Sequence, residues 1–370
     1  MKLKIVLLSC IYLFSPLSYA EKSEPKNEVD VVVDAPSGLR PCCAFGINMK
    51  SKLSIIPVPF FRVNNIVEVS DLASHHYNDG TQGVMASLAG NAEELNGLIY
   101  TSRGGIIDTA HVRDTGDNTF YLYNQIRGNL GIEMQRVLEA ELRERVINLY
   151  PIPFDFNAQE QLKAEINLSG ILAFRLAQWH EAAQWFGFTS VAGFKEYPSA
   201  YSPEDLYSNM LGAIIAMEII EANPDLTLAD YQIQYPIAFL KHLKELGAQD
   251  GARTKEVMDG LDGHWWDSKK RLPDKWVVKT RDYQPRLTIT PHWGDSDERE
   301  TLSLEPYAYL EKWGDATFVA TNHERHFKAL PAQLTNKSTW TVADLSDIAA
   351  FAKAADDKEK LSNNHLIKGQ

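Results

Sequence analysis

At 370 residues, 44% hydrophobic and 23% charged, the chain has the make-up of an ordinary globular protein, with material for one large core or two smaller ones. Its 49 acidic side chains outnumber its 37 Lys and Arg, a net charge of −12, which excludes sequence-blind binding to nucleic acid or to anionic lipid. No stretch beyond the first twenty residues reaches the roughly eighteen apolar positions of a membrane helix.

Residues 1–20 read as a secretory signal. Lys2 and Lys4 supply the positive start, Ile5 to Phe14 is apolar, Pro16 breaks the run, and Ser18-Tyr19-Ala20 presents small residues for cleavage after Ala20. The mature chain is therefore expected to be periplasmic or secreted. A lipoprotein reading of Leu7-Leu8-Ser9-Cys10 is weaker, because the apolar run before Cys10 is too short. Residues 21–34 form a charged leader expected to be mobile. Beyond the signal the cysteines are Cys42 and Cys43, adjacent and so unable to pair with ordinary disulfide geometry. Buried free thiols, a strained vicinal disulfide and a reactive nucleophile or metal ligand all stay open for them.

Residues 52–69, with Pro57 and Pro59 between apolar neighbours, suit extended edge strands or loops. Gly104-Gly105 permits a tight entry to a helix predicted from about Ile107 to Arg127. Residues 131–150 fit either a helix or paired strands. The segment Glu165–Phe188 is apolar on nearly every side and predicts a buried helix, with Asn157 as a fair N-cap upstream. Ser202-Pro203-Glu204-Asp205 has the form of a helix start, opening a second apolar helix to about Ala222. Thr227 opens a third that ends at Gly247, and a short one surrounds Arg253–Met258. Residues 275–291 suggest short strands, and the charged tail beyond Lys353 is expected to fray. The fold class expected is mainly α, a helical core with irregular and short β additions at the N- and C-terminal parts, forming a single domain over residues 35–352.

Polar groups inside apolar helices need partners, since an unpaired buried one costs about 2–7 kcal/mol. Asp108 and His111 stand at i, i+3, a spacing that lets two side chains grip one ligand. Asp108 can equally be a cap. His180 and Glu181 lie in the most buried helix. Gln184 occupies the place of the second His that a zinc-protease helix requires, so that motif fails. Glu196 lies in a loop able to fold back toward His180. Glu204 and Asp205 have a complete capping explanation. Trp265, Trp266, Trp276 and Trp293 line a groove or fill a core. No phosphate-binding glycine loop, dinucleotide fingerprint or nucleophile elbow is present.

Several segments together, Arg40-Pro41-Cys42-Cys43, Asn96-Gly97-Leu98-Ile99-Tyr100-Thr101, Gly104 to Asp114, Trp179-His180-Glu181 and Ser199 to Asn209, resemble an exported bacterial family catalogued as domain of unknown function 4056. The resemblance implies a protein of the bacterial cell envelope and brings no activity with it. From the residues themselves, the expected function is hydrolysis at one divalent metal, zinc first among the choices, held by Asp108, His111 and His180. Glu181 is the expected base, with Glu196 beside it, and Arg113 is expected to hold an anionic part of a small-molecule, peptidoglycan or lipid-derived substrate. The alternatives are a non-catalytic binding or scaffolding protein and a hydrolase using Cys42 or Cys43 with His111 as base.

Overall fold

The computed structural model describes residues 33–40, 45–53, 56–63, 65–82, 94–189 and 195–368; Cys42, Cys43 and the leader lie outside them. Three helices carry the core. The first, α1 (Thr109–Ile126), begins two residues later than its sequence predicts. Upstream, Met49–Leu53 (β1) pairs antiparallel with Ile56–Val63 (β2), and the glycine pair makes a hairpin turn instead of a helix entry: Leu98–Thr101 (β3) pairs antiparallel with Gly105–Asp108 (β4), and Ile106 and Ile107 are strand residues. Both isoleucines are buried, as β-branched residues in a strand closed on both sides should be. Asp108 then ends the strand and caps the helix.

The second helix, α2 (Ala158–Trp185), is buried around most of its circumference from Ala164 onward. Asn157 is its cap, accepting from the Gln159 and Glu160 amides at 3.0 Å, while Glu160 returns the bond. The third, α3 (Asp205–Ala222), starts later than the Ser-Pro signal suggests, because residues 199–204 are used up in turns. Gly212 lets α3 lie directly on α1, for a Cβ there would run into the Val112 carbonyl. Helix α4 (Leu228–Glu245) opens with the predicted Thr227 capping box, and its Tyr235 hydroxyl donates to the same Val112 carbonyl at 2.7 Å.

Residues 131–150 resolve as a hairpin, β5 (Met134–Glu141) and β6 (Arg143–Leu149), turning at Leu142 with φ 61°. Beyond the two-residue strands Arg271–Leu272 (β7), Thr288–Ile289 (β8) and Leu302–Ser303 (β9), the strands β10 (Gly314–Val319) and β11 (Thr339–Thr341) join it in an antiparallel sheet of order β11-β10-β6-β5 that backs α2, where Trp179 stacks on Phe318. A second, smaller core gathers Phe45, Tyr100, Met258 and Trp266 beside β3. Of residues 275–291 only Thr288–Ile289 is a strand. The tail expected to fray is the outer half of one long helix, Val342–Lys368. Asp356 holds it: this buried carboxylate accepts from Tyr283 Oη at 2.6 Å and Trp185 Nε1 at 3.1 Å, and pairs with Lys275. Mainly α with short β additions is the class observed. No helix among the described residues is long and apolar enough to cross a membrane.

Candidate metal centre

The starts of α1 and α3 and the end of α2 meet at one buried, acid-rich point. Asp108 Oδ1 accepts from the amides of Ala110 (2.8 Å) and His111 (3.4 Å), so the cap fixes the carboxylate beside the imidazole one turn on. Ser208 Oγ accepts from the Asp108 amide at 2.9 Å and donates to the Glu204 carbonyl at 2.8 Å, tying the two helix starts together. Residues 199–204 carry a second constraint. Tyr201 has φ 56°, an unusual conformation for a bulky side chain, and it directs its amide onto Glu181 Oε2 at 2.7 Å.

His111, Asp108 and Asp205 each offer a ligand atom, all within 4.8 Å of one another. Asn209 Oδ1 accepts from Thr115 Oγ1 at 2.7 Å and lies 3.2 Å from His111 Nδ1. The acceptor oxygen thus assigns the imidazole hydrogen to Nδ1. Burial, and then the nearby His180 charge, pull the His111 pKa down to about 3, so the ring is neutral and its Nε2 carries a lone pair. That lone pair faces Asp205 Oδ1 at 3.3 Å. Two acceptors face to face need a proton or a cation between them. A ligating His commonly donates its other N–H to a neighbouring acceptor, as Asn209 permits here.

Glu181 and Glu204 complete the acid cluster. Burial pushes Glu181 up to about 7 and Glu204 up to about 8. Asp205 rises well above the carboxylate range through burial and the charges of Glu181, Glu204 and Asp108. Glu181 Oε1, Glu204 Oε1 and both Asp205 oxygens are buried without a well-aligned hydrogen-bond donor among the described residues. Ionised, the four carboxylates carry −4. Arg281, nine-tenths buried and coupled to Glu181 and Asp205, offsets one charge, and His180 offsets another. The remainder, −2, is neutralised either by the protons that the raised carboxyl groups hold or by one divalent ion in their place.

His180 is part of this surrounding charge and stands outside the ligand set expected for it. Burial works against its proton, but Glu141 Oε2 at 3.0 Å outweighs burial and lifts the pKa to about 9, so the ring is a cation. The two imidazoles lie 6.1 Å apart, centroid to centroid. Between α1, α2 and β5 a cavity of about 30 Å³, room for a water or two, is walled by His111, His180, Glu141, Asn209 and Arg145. Glu181 does not line it.

Two expected site residues sit elsewhere. Arg113 is on the opposite face of α1. Its guanidinium donates to the carbonyls of Leu95 (2.6 Å) and Ser74 (2.8 Å) and to Asn96 Oδ1, so it cannot reach a ligand at the acid cluster. It borders a second buried network, in which Arg40 pairs with Glu94, Asp114 and Asp117 and His75 bridges Asp117 and Glu94. Glu196 accepts from Gln184 Nε2 at 3.2 Å, one turn beyond His180, where its charge supports the imidazolium. Arg175 is taken by Glu311 and Gln178. Sequence reasoning missed Glu204 and Asp205, which read as caps, and Glu141. For the first two the signal was present: acids opening a helix that is apolar all round are buried. Glu141 had none.

No curated protein and no solved structure matches the chain. A family model does, over residues 30–294, a span that contains every residue of the acid cluster. The chain belongs to the family described as Protein of unknown function (DUF4056).

Proposed function

We propose that the chain is a metal-dependent hydrolase of the bacterial cell envelope, exported by its N-terminal signal. One divalent ion is held by Asp108, His111 and Asp205, with Glu181 and Glu204 supplying the rest of the negative charge around it. The observation that carries this reading is the His111 Nε2 lone pair aimed at Asp205 Oδ1, with a ligand atom of Asp108 within 4.8 Å of both, in a buried cluster of carboxyl groups. The mixed nitrogen and oxygen donors suit zinc, manganese or iron.

A divalent ion there supplies Lewis-acid charge beside a cavity large enough for water. In the hydrolytic step the water oxygen forms the new bond to the substrate carbon or phosphorus while the bond to the leaving group breaks. The water proton leaves the cavity past His111, through Asp205 on the far side of that ring, and comes to rest on Glu181 in the acid cluster behind it. His180, held as a cation by Glu141 on the cavity wall, gives its proton to the leaving group. The test is elemental analysis of the purified protein, followed by chromogenic ester, amide and phosphoester assays with zinc, manganese or iron added. About one ion per chain, lost in His111→Ala, together with turnover lost in Glu181→Gln, is the expected result. A protein that folds normally and binds none of these ions overturns it.

A further inference from the structure

The cavity at His111 and His180 has a neighbour. A groove of about 490 Å³ lies on the other side of Leu39, Glu141 and Arg145, and these three residues line both spaces. Its wall is made by the β5–β6 turn, the end of α2 and the 3₁₀ turn Glu324–Phe327.

The groove is cationic in a protein of net charge −12. Arg145, Lys195, Arg325, His323 and His326 face it, against Glu139 and Glu141. Glu141 is already matched by Arg145 at 2.7 Å and His180 at 3.0 Å. The 3₁₀ turn is arranged so that its basic side chains stay available. Its acid, Glu324, is drawn off to the buried Arg143 at 2.5 Å, and Arg143 is fixed against the face of Trp340. His326 Nδ1 donates to the Phe186 carbonyl at 2.8 Å, which fixes the ring and the 3₁₀ turn against the end of α2. Leu142, between Glu141 and Arg143, holds a φ of 61°, a conformation costly for a branched side chain. It sends the two flanking side chains into different networks, one to the groove wall and one to the 3₁₀ turn.

From the shared wall inward the contacts are continuous: Arg145 to Glu141, Glu141 to His180, and His180 beside His111. We infer that this groove binds an oxyanion, a phosphate or a carboxylate group, through Arg325, Lys195 and Arg145. It thereby holds the anionic part of a substrate whose reacting bond points through the Arg145–Glu141 wall. That the bound molecule is a substrate rests on the metal reading above; the oxyanion site itself does not. Guanidinium groups grip phosphate and carboxylate in two-point fashion, and a groove with low-dielectric walls strengthens the field.

The experiment is calorimetric titration of the full chain at low salt with inorganic phosphate and, separately, with succinate. The variants are Lys195→Glu/Arg325→Glu, both exposed positions, and His111→Ala. Millimolar or tighter binding that falls at least tenfold in the charge-reversal variant, with metal content unchanged, supports the groove. Whether phosphate or succinate binds more tightly tells which oxyanion it takes. Binding retained in His111→Ala keeps the groove standing even if the metal reading fails. No binding of either anion, or binding indifferent to the charge reversal, overturns the inference. Binding abolished by His111→Ala alone overturns it too, because the anion would then sit on the metal.

Discussion

His111 and Asp205 meet acceptor to acceptor, Nε2 to Oδ1 at 3.3 Å, because Asn209 claims the imidazole hydrogen on the far side of the ring. Asn209 therefore does to His111 what an outer-sphere partner does to a metal ligand: it fixes the tautomer and the ring's aim. Asn209→Leu, which keeps the shape and removes the acceptor, is expected to weaken zinc affinity about 10- to 100-fold. Competition against a chromophoric chelator measures it, with circular dichroism as the check on folding. Unchanged affinity in a folded variant rules out this role for Asn209.

Stability should fall with rising pH in the metal-free protein. Glu181 and Glu204, raised to about 7 and about 8 from 4.5, bind more protons folded than unfolded across that interval, so stability declines as pH climbs through it. His180, raised from 6.5 to about 9, has the same sign: its contribution is complete below 6.5 and is lost as pH passes 9. His111, lowered from 6.5 to about 3, opposes them only below pH 6.5. Above that value the terms agree, each worth up to about 1.4 kcal/mol per pH unit. Urea titrations with chelator between pH 6.5 and 9 should show the decline, and Glu204→Gln should flatten it. A midpoint that rises over this range contradicts the assigned burial of these acids.

How much of this was visible beforehand depends on what kind of signal each residue carries. Helix α2 was legible because its apolar faces close around the axis, and α4 because Thr227 and Asp230 form a local box. Asp108 and His111 were found by their spacing, though the capping and site readings of Asp108 proved compatible: one oxygen serves the amides. Pattern alone failed where tertiary pairing decides. Residues 131–150 became a hairpin because β10 offers the partner for Arg143–Leu149, more than 160 positions further along the chain. Glu141 reached His180 by the same long-range pairing, and no local spacing could announce it. Arg113 misled because charge near a motif says nothing about which face of a helix bears it.

The Arg40 network, of which Arg40 and Asp114 also wall the cavity beside His111, predicts a stability effect with no loss of metal. Arg40 Nε lies 2.7 Å from Glu94, and one Arg40 nitrogen reaches both Asp114 (2.6 Å) and Asp117 (2.8 Å), with the Arg40, Glu94 and Asp117 side chains wholly buried. Burial and these three charges act in opposite directions on Arg40, and the acids win, keeping it firmly protonated. Arg40→Met leaves the carboxylates uncompensated, which costs about 3–5 kcal/mol by denaturant midpoint. Metal stoichiometry, measured below the new midpoint, should stay as in the wild type. A loss below about 1 kcal/mol would mean the carboxylates take up protons or water at little cost.

Gly212 offers the cleanest separation of packing from chemistry. It lies on α3 one turn beyond Ser208 and Asn209, the residues that orient the Asp108 amide and His111, and it bears directly on the Val112 carbonyl of α1. Alanine adds one methyl and improves helix propensity by up to about 1 kcal/mol, so in an open helix it would stabilise. Here the methyl meets rigid backbone, and the two helices must part. Overpacking of this kind costs about 1–3 kcal/mol. Because α1 carries His111 and α3 carries Asp205, the separation should also lengthen the Nε2–Oδ1 approach. Gly212→Ala is thus expected to lower both the melting temperature and the zinc affinity, whereas Gly260→Ala, where no atom lies within 4 Å of an added Cβ and the backbone suits an L side chain, leaves zinc affinity alone. If Gly212→Ala lost stability yet bound zinc as tightly as the wild type, the metal centre would not depend on the α1–α3 contact.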